Sequence, residues 1–254
     1  MPVAALLESM NAEDKKVPQV VAGCIPVITR VVEAVTGRMR RGGRVFYIGA
    51  GTSGRLGITD ASEILPTYGV DGAFIGIIAG GDTAIRRAVE GAEDDPGRGW
   101  EDILAYSPVP EDTLIGITAS GGAPYVLGAL KKARQAGMLT SCITCNEGAP
   151  AASEAEMPIV AVVGPEFVTG STRMKAGTAT KLILNMISTA VMIRLGHVKG
   201  SRMVDMQLTN KKLVDRGTRM IMDETGITDY ERARTLLLEK GSVRAATESL
   251  AADD

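Results

Sequence analysis

A chain of 254 residues can bury about three-quarters of its unfolded surface, and 45% hydrophobic with 23% charged residues marks a globular rather than a disordered chain. Its 28 Lys and Arg against 30 Asp and Glu give a formal net charge of -2, and only 4% of residues are aromatic. That balance excludes a basic face for a nucleic-acid backbone and a base-stacking platform. One histidine, His197, excludes multi-histidine metal sites, and three cysteines point to a reducing compartment rather than a disulfide framework.

The first residues, Met1-Pro2-Val3-Ala4-Ala5-Leu6-Leu7-Glu8, lack a basic n-region and a long apolar core, so no signal peptide is expected. Apolar residues at helical spacing from Val20 to Val35 predict a helix over 18–39, with a proline at its start. Gly42-Gly43 breaks the chain before a buried strand at 44–48. Alternation follows: a strand at 73–78, helix at 83–92, strand at 113–118, helix at 124–135, and strands at 139–145 and 158–163. That order argues for an α/β fold, a parallel sheet sandwiched by helices in a doubly wound arrangement.

A long helix is predicted over 175–195; its least polar part, 182–193, is interrupted by Asn185 and Ser188 and too short to span a bilayer. Helices over 204–222, 229–239 and 242–250 then suggest a small C-terminal helical module. The expected organisation is an N-terminal helical segment over 1–40, a ligand-binding domain over 41–210 and the helical module over 211–254. A cytoplasmic protein is expected.

Two glycine-rich turns follow strands. Gly49-Ala50-Gly51-Thr52-Ser53-Gly54-Arg55 lets the backbone turn sharply at the start of a helix, whose free N–H groups attract an anion. Its hydroxyls suit a phosphate monoester better than a dinucleotide. Thr118-Ala119-Ser120-Gly121-Gly122-Ala123-Pro124 repeats the arrangement after the third strand, with Pro124 at a first helical position. Two such turns at neighbouring strand ends face one crevice.

Acidic residues cluster at Asp60-Ala61-Ser62-Glu63 and Glu90-Gly91-Ala92-Glu93-Asp94-Asp95. Such runs are usually solvated faces. Glu63, however, precedes Ile64-Leu65-Pro66, an apolar setting, and glutamates are the acid/base groups available in a chain nearly without histidine. His197, just past a helix end, suits the helix dipole and a structural role. Cys142 and Cys145 have C-x-x-C spacing, but on a strand they point to opposite faces, which favours buried structural thiols.

Together these residues resemble the N-acetylmuramic acid 6-phosphate etherase family. The likeness is carried by Gly49 to Gly57, Asp60-Ala61-Ser62-Glu63, Ala88 to Asp94, Val168-Thr169-Gly170-Ser171-Thr172-Arg173-Met174-Lys175 and Asn210-Lys211-Lys212-Leu213. It runs from about Asn11 into the C-terminal helices. The resemblance implies a sugar isomerase (SIS) fold, a homodimer and a C–O lyase that converts N-acetylmuramic acid 6-phosphate to N-acetylglucosamine 6-phosphate and D-lactate. It implies Glu63 as proton donor and Glu93 as the second catalytic carboxylate, with no metal or other cofactor. Substrate and phosphate binding is implied for Gly51, Thr52, Ser53, Ser120, Gly121, Ser171 and Thr172. Gly122 and Ala123 stand where the family usually has Arg and Thr. No nucleic acid or membrane is implied as a partner. The alternatives are a non-catalytic sugar-phosphate-binding regulator, resembling the glucokinase regulatory protein, and a sugar-phosphate isomerase.

Overall fold

The computed structural model describes residues 1–251. The chain opens with α1 (Val3–Asp14) and α2 (Val17–Met39), then runs through β1 (Val45–Gly49), α3 (Gly51–Ser62) and the short α4 (Ile64–Tyr68). Next come β2 (Phe74–Ile78), α5 (Gly81–Arg86), α6 (Arg98–Leu104), β3 (Thr113–Ile117), α7 (Pro124–Gln135) and β4 (Leu139–Thr144). They are followed by α8 (Pro150–Glu154), β5 (Met157–Val160) and α9 (Lys175–Arg194). The chain ends in the two-residue strands β6 (Val198–Lys199) and β7 (Arg202–Met203) and in α10 (Lys211–Thr225), α11 (Tyr230–Lys240) and α12 (Val243–Ala251).

Two compact units result. The first holds residues 1–62 and 73–191, the second residues 63–72 and 192–254. The first is built on a five-stranded parallel sheet in the order β2-β1-β3-β4-β5. β1 and β3 are buried along their whole length, as expected of strands covered on both faces. Alternation divides their side chains. Phe46, Ile48, Leu114 and Cys142 enter one core with Ile103, Tyr125, Val126 and Leu130 from α6 and α7. Tyr47 faces the other way, under α3: a Cβ on Gly57 would meet the Tyr47 Cβ at 3.0 Å. Asp60 of α3 reaches α9 on that face, accepting from Asn185 Nδ2 at 2.6 Å and Ser188 Oγ at 3.2 Å.

The second unit has its own core of Val204, Met206, Ile221, Ala233, Leu237, Val243 and Ala246. The 63–72 segment is stitched into it: Gln207 N–H donates to the Pro66 carbonyl at 3.2 Å, and Gly69 lies so close to the Asp205 carbonyl that a Cβ would meet it at 2.1 Å.

Several element bounds differ from expectation. The helix expected over 83–92 ends at Arg86 because the chain folds back: a Cβ on Gly80 would lie 2.8 Å from the Val89 Cβ. Residues 87–97 are therefore a loop that carries Glu93 between α5 and α6. The helix expected from 204 begins only at Lys211, where Asn210 Oδ1 accepts from Leu213 N–H at 2.9 Å and fixes the start. α1 and α6 come without a sequence expectation. The stretch 182–193, expected to be too short for a membrane, lies within α9, which over its 20 residues is long and apolar enough to cross one, but α9 buries Ala179, Ile183, Ile187 and Val191 as a core helix.

A candidate active site at the sheet's switch point

The strand order reverses at β1. The chain leaves β1 for α3 on one face of the sheet and leaves β3 for α7 on the other, so a crevice opens between the two carboxyl ends. A cleft of about 230 Å³ fills that position, lined by Gly51, Thr52, Ser53, Glu93, Ser120 and Thr172 together with Ala50, Ala123 and the end of β3.

The α3 side is shaped by glycines that admit no side chain. A Cβ on Gly49 would sit 2.7 Å from the Gly54 nitrogen, and one on Gly54 would sit 2.7 Å from the Gly49 carbonyl oxygen. Strand and helix start thus touch backbone to backbone. In the first turn of α3 the Thr52 and Ser53 N–H groups have no intrahelical acceptor. The hydroxyls of the same two residues make no hydrogen bond with another described residue. Two backbone and two side-chain donors at the positive end of a twelve-residue helix are an arrangement suited to an anion.

The β3–α7 turn works differently. Pro124 has no N–H, Tyr125 N–H donates to the Glu93 carbonyl at 2.9 Å, and Val126 N–H donates to the Ala123 carbonyl at 3.0 Å. The first turn of α7 is therefore already occupied and offers the cleft no backbone donor. What this turn contributes is the Ser120 side chain, whose Oγ accepts weakly from Gly122 N–H at 3.4 Å, and the Ser120 and Ala123 N–H groups ahead of the helix, which donate to no other described residue. Asn146 Nδ2 holds the Ser120 carbonyl at 3.3 Å.

Glu93 enters the cleft from the 87–97 loop. Its carboxylate makes no hydrogen bond or ion pair with another described residue, although its backbone is pinned by Tyr125. Gly121, at φ 79, is buried behind Ser120, where a Cβ would strike the Ala149 Cβ at 2.1 Å; it shapes the turn without lining the cleft. Ser171 also does not line it; Ser171 N–H closes a turn onto the Val168 carbonyl at 2.9 Å, and Thr172 is the member of that loop that reaches the cleft. Glu63 follows the last residue of α3 and belongs to the second unit. It is exposed, its carbonyl accepting from Thr67 N–H at 3.2 Å, while Ile64 beside it is buried. The apolar residues that follow Glu63 turn inward without it.

The remaining candidates have structural roles. Cys24, Cys142 and Cys145 are free; Cys142 is fully buried, whereas Cys145 is only partly so. Burial pushes both the Cys142 and Cys145 thiols up to about 12, which keeps them protonated and unreactive. His197 Nδ1 lies 2.9 Å from Asp205 Oδ2, and Arg244 Nε holds the other oxygen of that carboxylate at 2.7 Å. Burial raises the Asp205 carboxyl, but Arg244 and His197 outweigh it and hold the group below its ordinary value. Among the described residues no group of three or more His, Cys, Asp or Glu is arranged to hold a metal ion.

Residues 27–134, which include both turns and Glu93, match the glucokinase regulatory protein N-terminal SIS domain. Among solved structures, a phosphoheptose isomerase from Francisella tularensis superposes with a TM-score of 0.60 at 18% identity, over 76% of this chain and 100% of that one, a likeness of fold. An N-acetylmuramic acid 6-phosphate etherase from Porphyromonas gingivalis (strain ATCC 33277) is 61% identical over 246 residues, which are 96% of this chain and 89% of that protein. The protein of that name from Bacteroides thetaiotaomicron is 57% identical over 248 residues, 97% of this chain and 89% of that one. Identity of this extent along the whole chain, over a sheet of SIS type with a hydroxyl-lined cleft at its switch point, shows that the chain belongs to the N-acetylmuramic acid 6-phosphate etherase family.

Proposed function

We propose that this chain removes the D-lactyl ether of N-acetylmuramic acid 6-phosphate, giving N-acetylglucosamine 6-phosphate and D-lactate. The observation that carries the reading is the single cleft in which the α3 anion site and the unpartnered Glu93 carboxylate meet. In the open-chain sugar the C2 hydrogen is alpha to the C1 aldehyde and acidic enough for a carboxylate to remove. Glu93 takes that proton, the C2–C3 double bond forms, and the C3–O bond breaks with its electron pair going to the lactate oxygen. Glu63, assigned by its match to the family, protonates the departing oxygen. Water then adds at C3 and a proton returns to C2, so the sum is hydrolysis of the ether. The phosphate, held by Thr52, Ser53 and Ser120, fixes the sugar so that C2 stays within reach of a base.

The decisive assay is D-lactate release from N-acetylmuramic acid 6-phosphate. Wild-type protein releases it, and Glu93→Gln slows release by about a hundredfold or more while leaving phosphate-dependent binding in place. Binding of the sugar phosphate with no lactate at saturation rejects the reading in favour of a sensor; a ketose product with no lactate rejects it in favour of an isomerase.

A homodimer belongs to the same proposal. Supporting it, α1 buries no residue of its own and leaves Val3 and Leu7 exposed. Light scattering is expected to give twice the chain mass at micromolar concentration; a monomer there rejects it. The three free thiols support a cytoplasmic location.

A further inference from the structure

Glu93 needs a fixed position, yet its loop is poor in packing. Residues 85–91 and 93–98 are exposed, and Ala92 alone between them is half-buried against the core. The loop is held instead at three points on one helix. Tyr125 N–H donates to the Glu93 carbonyl at 2.9 Å. Three residues on, the Pro96 carbonyl presses so closely on α7 that a Cβ at Gly128 would lie 1.8 Å from its oxygen. At the start of α6, Gly99 packs on the Tyr125 carbonyl, where a Cβ would meet the oxygen at 2.3 Å.

The Tyr125 side chain completes the grip. It is fully buried, and its hydroxyl donates to Asp102 Oδ2 of α6 at 2.7 Å, while Arg98 Nε holds Asp102 Oδ1 at 2.9 Å. Burial and the bond to Asp102 push the phenol well above its ordinary value, so it remains a donor. One residue thus touches the loop on both flanks: at Glu93 through its N–H, and at α6 through its carbonyl and its hydroxyl. It lies five positions after Ser120, so the same helix start that presents a phosphate-binding hydroxyl also sets the catalytic carboxylate.

We infer that Tyr125, seated against Gly99 and aided by the close approach of the Pro96 carbonyl to Gly128, is the positioning residue of Glu93, and that the first turn of α7 is spent on holding the carboxylate rather than on binding the anion. The kinetic part of this inference rests on the etherase reading; the structural part does not. Tyr125 touches no reacting atom, so its loss reads out in kcat and not in KM.

The test uses the whole chain with Tyr125→Phe and Gly128→Ala. Tyr125→Phe keeps the buried ring and removes the tie to Asp102. Displacing a catalytic group by about 1 Å can cost on the order of a hundredfold in rate, so kcat for lactate release should fall by roughly ten- to a hundredfold with KM held within about twofold. In a Glu93→Gln background the same change should cost nothing further, because it acts through that carboxylate. Amide hydrogen exchange provides the arm independent of turnover. Tyr125 N–H should be protected in the wild type, unlike that of an unbonded donor, and should lose protection in Gly128→Ala, where the added methyl displaces the Pro96 carbonyl.

A fall in kcat that adds in full to that of Glu93→Gln overturns the inference, as does a rise in KM at constant kcat. So does a Tyr125 amide that exchanges freely in the wild type. If the wild type releases no lactate, the etherase reading fails by itself and the exchange experiment still decides the clamp.

Discussion

Ser53 is the third residue of α3, where a helix has free N–H groups and no side chain has yet been drawn into the core. Its hydroxyl makes no hydrogen bond with another described residue, and on the proposed function it donates to a phosphate oxygen. A hydrogen bond to a charged group is worth about 1.5–3 kcal/mol, so Ser53→Ala should raise KM for lactate release by roughly ten- to a hundredfold. Since the phosphate is bound alike in ground and transition states, kcat should hold within about twofold. Steady-state kinetics checks this, and an unchanged KM would move the phosphate out of the α3 turn. Ser53 and Ser120 were legible in the sequence because each follows a buried strand and sits beside glycine. Tyr125 was not. Its contribution is a backbone N–H given to a carbonyl 32 positions earlier in the chain, and no residue type marks that bond.

Among elements, α3 does the most to place the site. It starts at the anion turn, rests on β1 through Gly57, and ends one residue before Glu63. Asp60 ties its last turn to α9 through Asn185 and Ser188 on one oxygen. The second oxygen and the buried Tyr47 hydroxyl face each other without a bond of proper geometry. Burial, opposed by Asn185, Ser188, Tyr47 and the Lys181 charge, raises the Asp60 carboxyl above 3.8. With a folded value above the unfolded one, the native state binds the proton more tightly. Its contribution to stability is therefore greatest at low pH and declines as pH climbs past 3.8. Asp60→Asn keeps an acceptor for Asn185 and Ser188 but cannot ionise. Its stability relative to wild type should improve as pH rises above 3.8 and level off once the folded carboxyl has ionised, as urea unfolding at several pH values would show. A difference that does not change with pH would contradict the assignment.

The five strands were readable as elements because each is a short apolar run bounded by Gly, Pro or polar residues, the pattern of a strand covered on both faces. α5 and α10 were misjudged at one end each. The fold-back of Val89 on Gly80 and the capping of α10 by Asn210 are tertiary and local events that apolar spacing does not encode.

For the whole molecule, the sequence order of sheet and helices conveyed the fold class, but not that residues 63–72 leave the sheet unit to join the C-terminal core. Nothing in ten residues beginning Glu63-Ile64-Leu65-Pro66 announces the Gln207 and Asp205 backbone that receives them. The site is distributed in the same way. The anion turn, Ser120 and Glu93 come together because strand order reverses between β1 and β3, a property of topology rather than of any motif.

Running the lactate assay in oxygen-18 water tests the chemistry assigned to that cleft most directly. Elimination across C2–C3 followed by addition of water places the heavy oxygen on C3 of N-acetylglucosamine 6-phosphate and leaves the lactate unlabelled. Heavy oxygen in the lactate would mean that the bond on the lactyl side of the ether oxygen breaks, and no proton abstraction at C2 by Glu93 could then account for the reaction.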